Sequence, residues 1–258
     1  MVTPTFLDLP RRSGKPRERG LTHVFDDGLP PEAVHQMLGT AGAWADVWKL
    51  AFGTAYLDPT LPGKLSVLSA HQVLACVGGT LLEVAWTQGR SSGFLDWAHD
   101  AGFPLVEVSN GATEMPASDK RRLIEAAAGR FTVLSEVGSK DPAAVVSPED
   151  WAKEAAADLD AGARWVIAEA RESGTVGLYR ADGSVRDDVV DALVRVVGLD
   201  LLIFEAPRKE QQAWFIRRFG ADVNLANVPP GGLLGLEALR VGLRADTIGA
   251  RSRDGAGR

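Results

Sequence analysis

The chain alternates between short apolar runs and helical patterns, and this alternation restricts the folds open to it. The apolar runs begin near Leu21, Asp46, Leu74, Phe103, Phe131, Arg164, Leu199 and Asp222. No Pro/Ser-rich linker divides the chain between them. Eight strand–helix units in about 230 residues match a closed barrel of parallel strands. We therefore predict the α/β class and a single-domain (β/α)8 TIM barrel, with a doubly wound open sheet as the alternative.

Local signals place the domain boundaries and one helix start. Ser147-Pro148-Glu149-Asp150 is a capping sequence, which predicts a helix that begins at residue 148. The polar, Gly-rich or basic ends predict mobile tails at residues 1–14 and 249–258. The barrel is expected to occupy residues 15–248.

Composition excludes several classes of protein. The chain has 28 basic and 34 acidic residues, a net charge of -6, so general nucleic-acid binding is not expected. One cysteine, Cys76, rules out an intramolecular disulfide and suits a reducing compartment. No apolar run approaches the roughly 20 residues that cross a membrane, and residues 1–20 do not resemble a signal peptide. We expect a cytoplasmic protein without membrane contact; exposed barrel helices would also allow a homo-oligomer.

Charged residues follow the apolar runs. The run at residues 165–168 leads into Glu169-Ala170-Arg171-Glu172-Ser173-Gly174, and Glu or Asp closes several other runs. Burial of unpaired charge is unfavourable, so such strand ends are expected to open into a wet site. In a TIM barrel the carboxyl ends of the strands carry the catalytic groups. The pattern therefore predicts a ring of ionisable groups at one mouth.

Basic residues and glycines in this pattern are candidates for binding an anionic substrate. Lys49 lies within an apolar run, and Lys140 and Lys209 follow theirs closely. Arg171 can hold a carboxylate or phosphate through two parallel hydrogen bonds. Two glycine pairs let the backbone approach a ligand. These pairs are Gly78-Gly79 and, before the last helix, Gly231-Gly232.

The remaining motifs favour a hard cation over other cofactors. The chain has no Walker-type loop and no Gly-x-Ser-x-Gly elbow, and its four histidines suggest structural or exposed roles, so zinc is not expected. Carboxylate oxygens suit Mg²⁺. Glu107, Glu136 and Glu169 close neighbouring strands and form the predicted trio of metal ligands, in which Asp26 or Glu205 could replace one member.

Together, several segments resemble the phosphosulfolactate synthase family. They span roughly residues 15–247, and the most distinctive are the Glu-Ala-Arg-Glu-Ser-Gly segment and Phe204-Glu205-Ala206-Pro207. The others are Lys15-Pro16-Arg17, Gly20-Leu21-Thr22, the turn at 26–28, Gly78-Gly79-Thr80, Val106-Glu107-Val108-Ser109-Asn110-Gly111, Glu136-Val137-Gly138-Ser139-Lys140, Gln211-Gln212 and Val223-Asn224-Leu225. The resemblance implies a TIM barrel that adds sulfite to phosphoenolpyruvate, giving (2R)-phospho-3-sulfolactate. It also implies dependence on Mg²⁺ and a place in the early route to coenzyme M or to sulfolactate.

This chemistry suggests roles for the candidate residues. Lys140 is the preferred proton donor to the substrate carbon, with Lys49 as second choice, and Arg171 would clamp an anion. Lys209, both glycine pairs and Asn224 would contact substrate. Two alternatives stay open: the same scaffold could add a different nucleophile to an enol phosphate, or it could be a non-catalytic binding or stress-related protein.

Overall fold

The computed structural model describes residues 6–138 and 146–249 and contains a closed barrel of eight parallel strands. Each strand pairs with the next, and β8 pairs with β1. The strands are β1 Thr22–Asp26, β2 Val47–Leu50, β3 Leu74–Val77, β4 Leu105–Val108, β5 Thr132–Val137, β6 Trp165–Ala168, β7 Leu202–Glu205 and β8 Leu225–Val228. The predicted TIM barrel is confirmed, and each predicted apolar run contains or directly precedes a strand.

Helices cover the outside of the barrel between these strands. They are α1 Pro31–Ala41, α2 Thr54–Leu57, α3 Leu61–Ala70, α4 Gly79–Thr87, α5 Ser91–Ala101, α6 Ala117–Ala128, α7 Pro148–Asp160, α8 Asp187–Val197, α9 Lys209–Phe219 and α10 Leu233–Arg240. The predicted cap of α7 is confirmed, because the Ser147 hydroxyl accepts a hydrogen bond from the Asp150 amide at 3.1 Å. Apolar faces such as Val189, Val190 and Leu193 of α8 pack against the strands.

Side-chain alternation divides the barrel interior into an apolar floor and a charged mouth. Val47, Leu105 and Leu134 belong to the apolar cluster inside the barrel, together with Ile203 and Ala226. A strand residue two positions further along faces the same way, one step nearer the carboxyl end. Those next positions on β2, β4, β5 and β7 are Lys49, Glu107, Glu136 and Glu205. On each of these four strands, the inward-facing side chain changes from apolar to charged between one inward-facing position and the next.

The seam between the first and last strands is held by arginines. Arg12 donates to Asp222 at 2.7 Å and to Glu237 at 3.1 Å, and only 3% of its side chain is exposed. Arg240 is buried in α10 and donates to the carbonyl oxygens of Val223 and Leu21. Arg12, which falls within the predicted tail at residues 1–14, thus packs on the barrel. The predicted tail at 249–258 lies, apart from its first residue, outside the described residues.

The helices that the structure describes include none that is both long and apolar enough to cross a membrane.

Candidate active site

A cavity of about 240 Å³ lies at the carboxyl-terminal mouth of the barrel. Its lining combines buried carboxylates, a buried lysine, an exposed arginine, a glycine pair and two aromatic rings. The lining residues are Phe25, Lys49, Phe52, Gly78, Gly79, Thr80, Ala112, Glu136, Glu169, Ala170, Arg171, Glu172, Glu205 and Asn227. Both signs of charge therefore meet in one small space, as the strand-end pattern predicted.

The Lys49 ammonium sits among three carboxylates contributed by three other strands. Its Nζ lies 2.8 Å from Glu107 Oε2, 3.0 Å from Glu136 Oε1 and 3.7 Å from Glu205 Oε1. The Lys49 side chain therefore points into the mouth of the barrel. Burial of an ammonium is unfavourable without such partners, so the carboxylates are what allow a lysine inside the barrel.

Charge and burial shift the proton affinities of this cluster. Burial alone would lower the pKa of Lys49, but Glu107, Glu136 and Glu205 together raise that pKa well above its ordinary value. Burial also raises the pKa of Glu205 well above its ordinary range; Lys49 opposes this rise, while Glu136 and Glu169 add to it. At Glu205, burial and the neighbouring acids therefore outweigh the effect of the Lys49 ammonium.

Three buried carboxylates line the cavity, together with the exposed Glu172 at its rim. Glu136, Glu169 and Glu205 are all buried in side-chain packing yet reach its wall. Glu205 Oε2 accepts a hydrogen bond from the Ala170 amide at 2.6 Å, and this bond fixes the position of one of the two carboxylate oxygens of Glu205. Glu169 is buried whereas Glu172 is exposed at the rim. Of the two acids in the Glu-Ala-Arg-Glu segment, Glu169 is therefore the one that belongs to the buried carboxylate group.

Glu107 lies beneath this group and does not line the cavity. It is fully buried; one oxygen faces Lys49 and accepts from the Gly79 amide at 3.2 Å, and the other faces His23. The predicted ligand trio is therefore not brought together as such. Among the described acids, the buried set at the cavity wall is Glu136, Glu169 and Glu205.

Asp26 points away from the mouth, so its predicted role as a replacement ligand is wrong. One oxygen accepts from Trp48 Nε1 at 2.8 Å and lies 3.4 Å from Lys64 Nζ. The other accepts from the Gly28 and Leu29 amides. The physical reason is strand parity: Asp26 shares a face with Val24, which packs in the core between barrel and helices.

Arg171 and the first glycine pair reach the cavity as predicted. The Arg171 side chain is exposed at the rim, and it forms no ion pair with any residue in the described ranges 6–138 and 146–249. Gly79 begins α4, and a Cβ there would lie 2.9 Å from Ser109 Cβ. Only a glycine lets the α4 backbone come this close to the end of β4.

Other predicted substrate contacts lie elsewhere. Asn224 is buried before β8, at the amino-terminal end of the barrel, where it bonds the Leu21 amide and the Leu202 carbonyl oxygen. Lys209 pairs with Glu210 and Asp246. Gly231 and Gly232 form a short 3₁₀ turn before α10. None of these four residues lines the cavity, so their predicted substrate contacts find no support here.

Lys140, the preferred proton donor, lies outside the described residues.

The predicted site residues do not include Phe25, Phe52 or Asn227, which line the cavity. Phe52 and Asn227 adopt positive φ angles of 55° and 54°, which are unusual for residues other than glycine. The Phe52 ring stands edge-on to Phe25 with centroids 5.4 Å apart. The positive φ angles of Phe52 and Asn227 cannot be predicted from the residue type. Phe25 lies in an apolar run, where the sequence does not distinguish a cavity residue from a core residue.

Comparison with known proteins finds one family that matches nearly the whole chain. The model of the (2R)-phospho-3-sulfolactate synthase (ComA) family matches residues 10–246. The phosphosulfolactate synthase of Methanothermobacter thermautotrophicus is 40% identical over 246 residues, which cover 93% of this chain and 95% of that protein. The Bacillus subtilis phosphosulfolactate synthase is 40% identical over 245 residues, covering 94% of this chain and 97% of that protein.

Two further comparisons give more distant matches. The Arabidopsis thaliana protein HEAT-STRESS-ASSOCIATED 32 is 25% identical over 89% of this chain and 88% of its own length. The crystal structure of 3-keto-L-gulonate-6-phosphate decarboxylase from Vibrio cholerae superposes with a TM-score of 0.56 at 12% identity, covering 86% of this chain and 96% of that one. That likeness concerns the barrel alone. The sequence matches at 40% identity extend over nearly the whole chain, and they show that the chain belongs to the (2R)-phospho-3-sulfolactate synthase family of enzymes.

Proposed function

We propose that this chain adds sulfite to phosphoenolpyruvate, forming (2R)-phospho-3-sulfolactate, with Mg²⁺ as cofactor. The observation that carries the proposal is the mouth cavity, where Lys49 and Arg171 face Glu136, Glu169 and Glu205. Both substrates are anions, and the product carries phosphate, carboxylate and sulfonate groups. A cavity with fixed cations inside an otherwise acidic protein suits such ligands.

Arg171 is proposed to bind an anionic group of the substrate. Its guanidinium is exposed at the rim, and its planar donors match a carboxylate or phosphate. The Gly78-Gly79 backbone lines the same cavity and allows close approach of substrate to the start of α4. These two features would orient the substrate above the strand ends.

Glu136, Glu169 and Glu205 are proposed to hold the Mg²⁺ ion. Their oxygens are the donor type that this ion prefers. Burial, together with Glu136 and Glu169, raises the pKa of Glu205, and a bound cation would lower that pKa again. When bound, Mg²⁺ supplies Lewis-acid stabilisation of negative charge on a substrate oxygen. The donor type therefore suits the ion, and the three carboxylates, whose oxygens do not all lie within 4.8 Å of one another, would have to draw together around it.

Lys49 is proposed to act as a fixed cation. In the reaction the sulfite sulfur bonds to the methylene carbon, the electron pair of the double bond moves toward the carboxylate, and a proton is then added to the adjacent carbon. Lys49 is placed to stabilise the negative charge that develops. Its raised pKa makes it a weak acid, so we assign proton donation to Lys140, as the sequence suggested.

Turnover by the purified protein tests the proposal. Phosphoenolpyruvate, sulfite and Mg²⁺ together should give loss of the enol absorbance and formation of a sulfonate, whereas omission of any one should prevent both. Turnover with another nucleophile and not with sulfite would replace this assignment by the first alternative. Binding of phosphoenolpyruvate without any turnover would favour a binding protein.

The Lys140→Ala variant tests the proton donor. We expect it to lose at least about 100-fold in kcat, the lower range for loss of a general acid, while its thermal unfolding stays unchanged. The neighbouring Lys153→Ala variant, on α7, is the control and should keep the wild-type rate. Near-normal turnover by Lys140→Ala would remove Lys140 from this role.

A further inference from the structure

A second group of ligand atoms lies beneath the mouth, inside the barrel. His23 of β1, Cys76 of β3 and Glu107 of β4 each offer one atom, and these atoms lie within 4.8 Å of one another. All three side chains have 0% exposure. In the described part of the chain no other His, Cys, Asp and Glu side chains form a comparable group of three.

Three polar atoms of this group lack hydrogen-bond partners within the described residues, and Cys76 Sγ donates only a long hydrogen bond, 3.7 Å, to the Val77 carbonyl oxygen. Neither ring nitrogen of His23 forms a hydrogen bond with a described residue, and Glu107 Oε1 does not form one either. Buried polar atoms nearly always have a partner, because leaving one without costs about 1–3 kcal/mol. Two of these atoms, His23 Nε2 and Glu107 Oε1, lie close to each other, so one ligand between them would satisfy both.

Their separation suits a metal ion. His23 Nε2 and Glu107 Oε1 are 3.2 Å apart, although they do not form a hydrogen bond. Two ligands bound at about 2.0–2.1 Å in a tetrahedral site lie roughly 3.3 Å from each other. The thiol of Cys76 supplies the third donor, and a water commonly completes sites with three protein ligands.

We propose that His23, Cys76 and Glu107 form a binding site for a borderline-soft divalent metal ion of the Zn²⁺ type. The set of one imidazole, one thiolate and one carboxylate distinguishes it from the all-oxygen group at the mouth, which suits Mg²⁺. Binding expels the thiol proton to solvent as the metal–sulfur bond forms. Without metal the thiol keeps that proton, because burial, with Glu107, raises the pKa of Cys76.

The proposed site shares Glu107 with the mouth. Oε1 faces His23, whereas Oε2 lies 2.8 Å from Lys49 Nζ. An ion on Oε1 would withdraw part of the negative charge that holds Lys49. Metal binding at the proposed site is thus coupled electrostatically to Lys49, to which we assign a role in the reaction.

Cobalt substitution provides the test, because a Co²⁺–thiolate bond has a charge-transfer absorption. Cys76 is the single cysteine, so any such band reports on this site. Since the site is buried, the protein is produced in cobalt-supplemented medium so that the ion enters during folding. We expect about one tightly held cobalt per chain, measured by mass spectrometry, together with the band. Absence of the band or of retained cobalt would overturn the proposal.

Variants identify the ligands. Cys76→Ser should lose the band, and His23→Leu should lower cobalt affinity by more than the roughly 10–100-fold that loss of an outer-shell group costs. His71→Ala is the matched control: His71 and His35 form an exposed pair on the surface, 3.3 Å apart, that could bind metal adventitiously. It should leave the band unchanged. An unchanged band in His23→Leu, or displacement of the cobalt by excess Mg²⁺, would contradict the assignment.

Discussion

At the scale of single residues, the mouth depends on how charge is compensated. Lys49 is stable inside the barrel because Glu107, Glu136 and Glu205 surround it. Glu205 in turn keeps a raised pKa because burial and its acidic neighbours outweigh that one ammonium. A residue's role here therefore follows from its neighbours more than from its type.

Lys49→Met should lower kcat by about 100-fold or more, because it removes a fixed cation from the developing negative charge. Lys64→Met is the matched control: Lys64 is an equally buried lysine that pairs with Asp26 and Asp58 away from the cavity. It should reduce the free energy of unfolding and leave the rate per folded molecule unchanged. Steady-state kinetics and urea unfolding measure both effects; equal rate losses in the two variants would contradict the role of Lys49.

Glu205→Gln should raise the Mg²⁺ concentration for half-maximal activity by at least about 10-fold, because one of three proposed ligands is lost. Asp26→Asn should leave that concentration unchanged, since Asp26 bonds Trp48 and the turn after β1. Magnesium titration of the reaction rate separates the two variants. If Asp26→Asn raised the requirement and Glu205→Gln did not, the assignment of cavity-lining carboxylates would be wrong.

At the scale of elements, strand parity decides which charged residue reaches the mouth. Glu205 closes β7 and Asp26 closes β1, so both look alike in the sequence. The barrel turns Glu205 inward and Asp26 toward the helices. Helix starts matter equally, because α4 begins against the end of β4 at Gly79.

Gly79→Ala should lower the free energy of unfolding by about 1–3 kcal/mol and reduce kcat/KM, because the new Cβ would press on Ser109 and shift the cavity wall. Gly39→Ala is the control. Gly39 is exposed within α1 and nothing lies within 4 Å of an added Cβ, so alanine should stabilise by about 0.5–1 kcal/mol. Chemical denaturation and kinetics on both variants measure these changes. A stable, fully active Gly79→Ala variant would show that this contact relaxes freely.

At the scale of the whole molecule, closure of the barrel joins the two ends of the chain. β1 pairs with β8, and Arg12 links the segment before β1 to Asp222 and Glu237. Arg240 adds hydrogen bonds to backbone carbonyl oxygens across the same seam. Residues far apart in sequence therefore stabilise one another.

Arg12→Gln should reduce the free energy of unfolding by about 3 kcal/mol, since it leaves two largely buried carboxylates without their cation. Arg122→Gln is the control, because Arg122 is 74% exposed in its pair with Asp119 and should cost less than about 1 kcal/mol. Equilibrium denaturation in urea measures both. Equal, small effects would mean that the segment around Arg12 contributes little to closure.

The sequence by itself determined the barrel, the family and the end of the barrel that carries the site. Apolar runs and helix caps are local signals, and a parallel sheet brings all carboxyl strand ends to one side, so Lys49, Arg171, Glu136, Glu169 and Glu205 could be named in advance. The tertiary structure alone decided which charges meet. It turned Asp26 outward, placed Asn224 at the opposite end, and joined His23, Cys76 and Glu107 beneath the mouth. These side-chain positions depend on strand parity and on contacts between strands that are distant in the sequence. No local stretch of sequence predicts either of them.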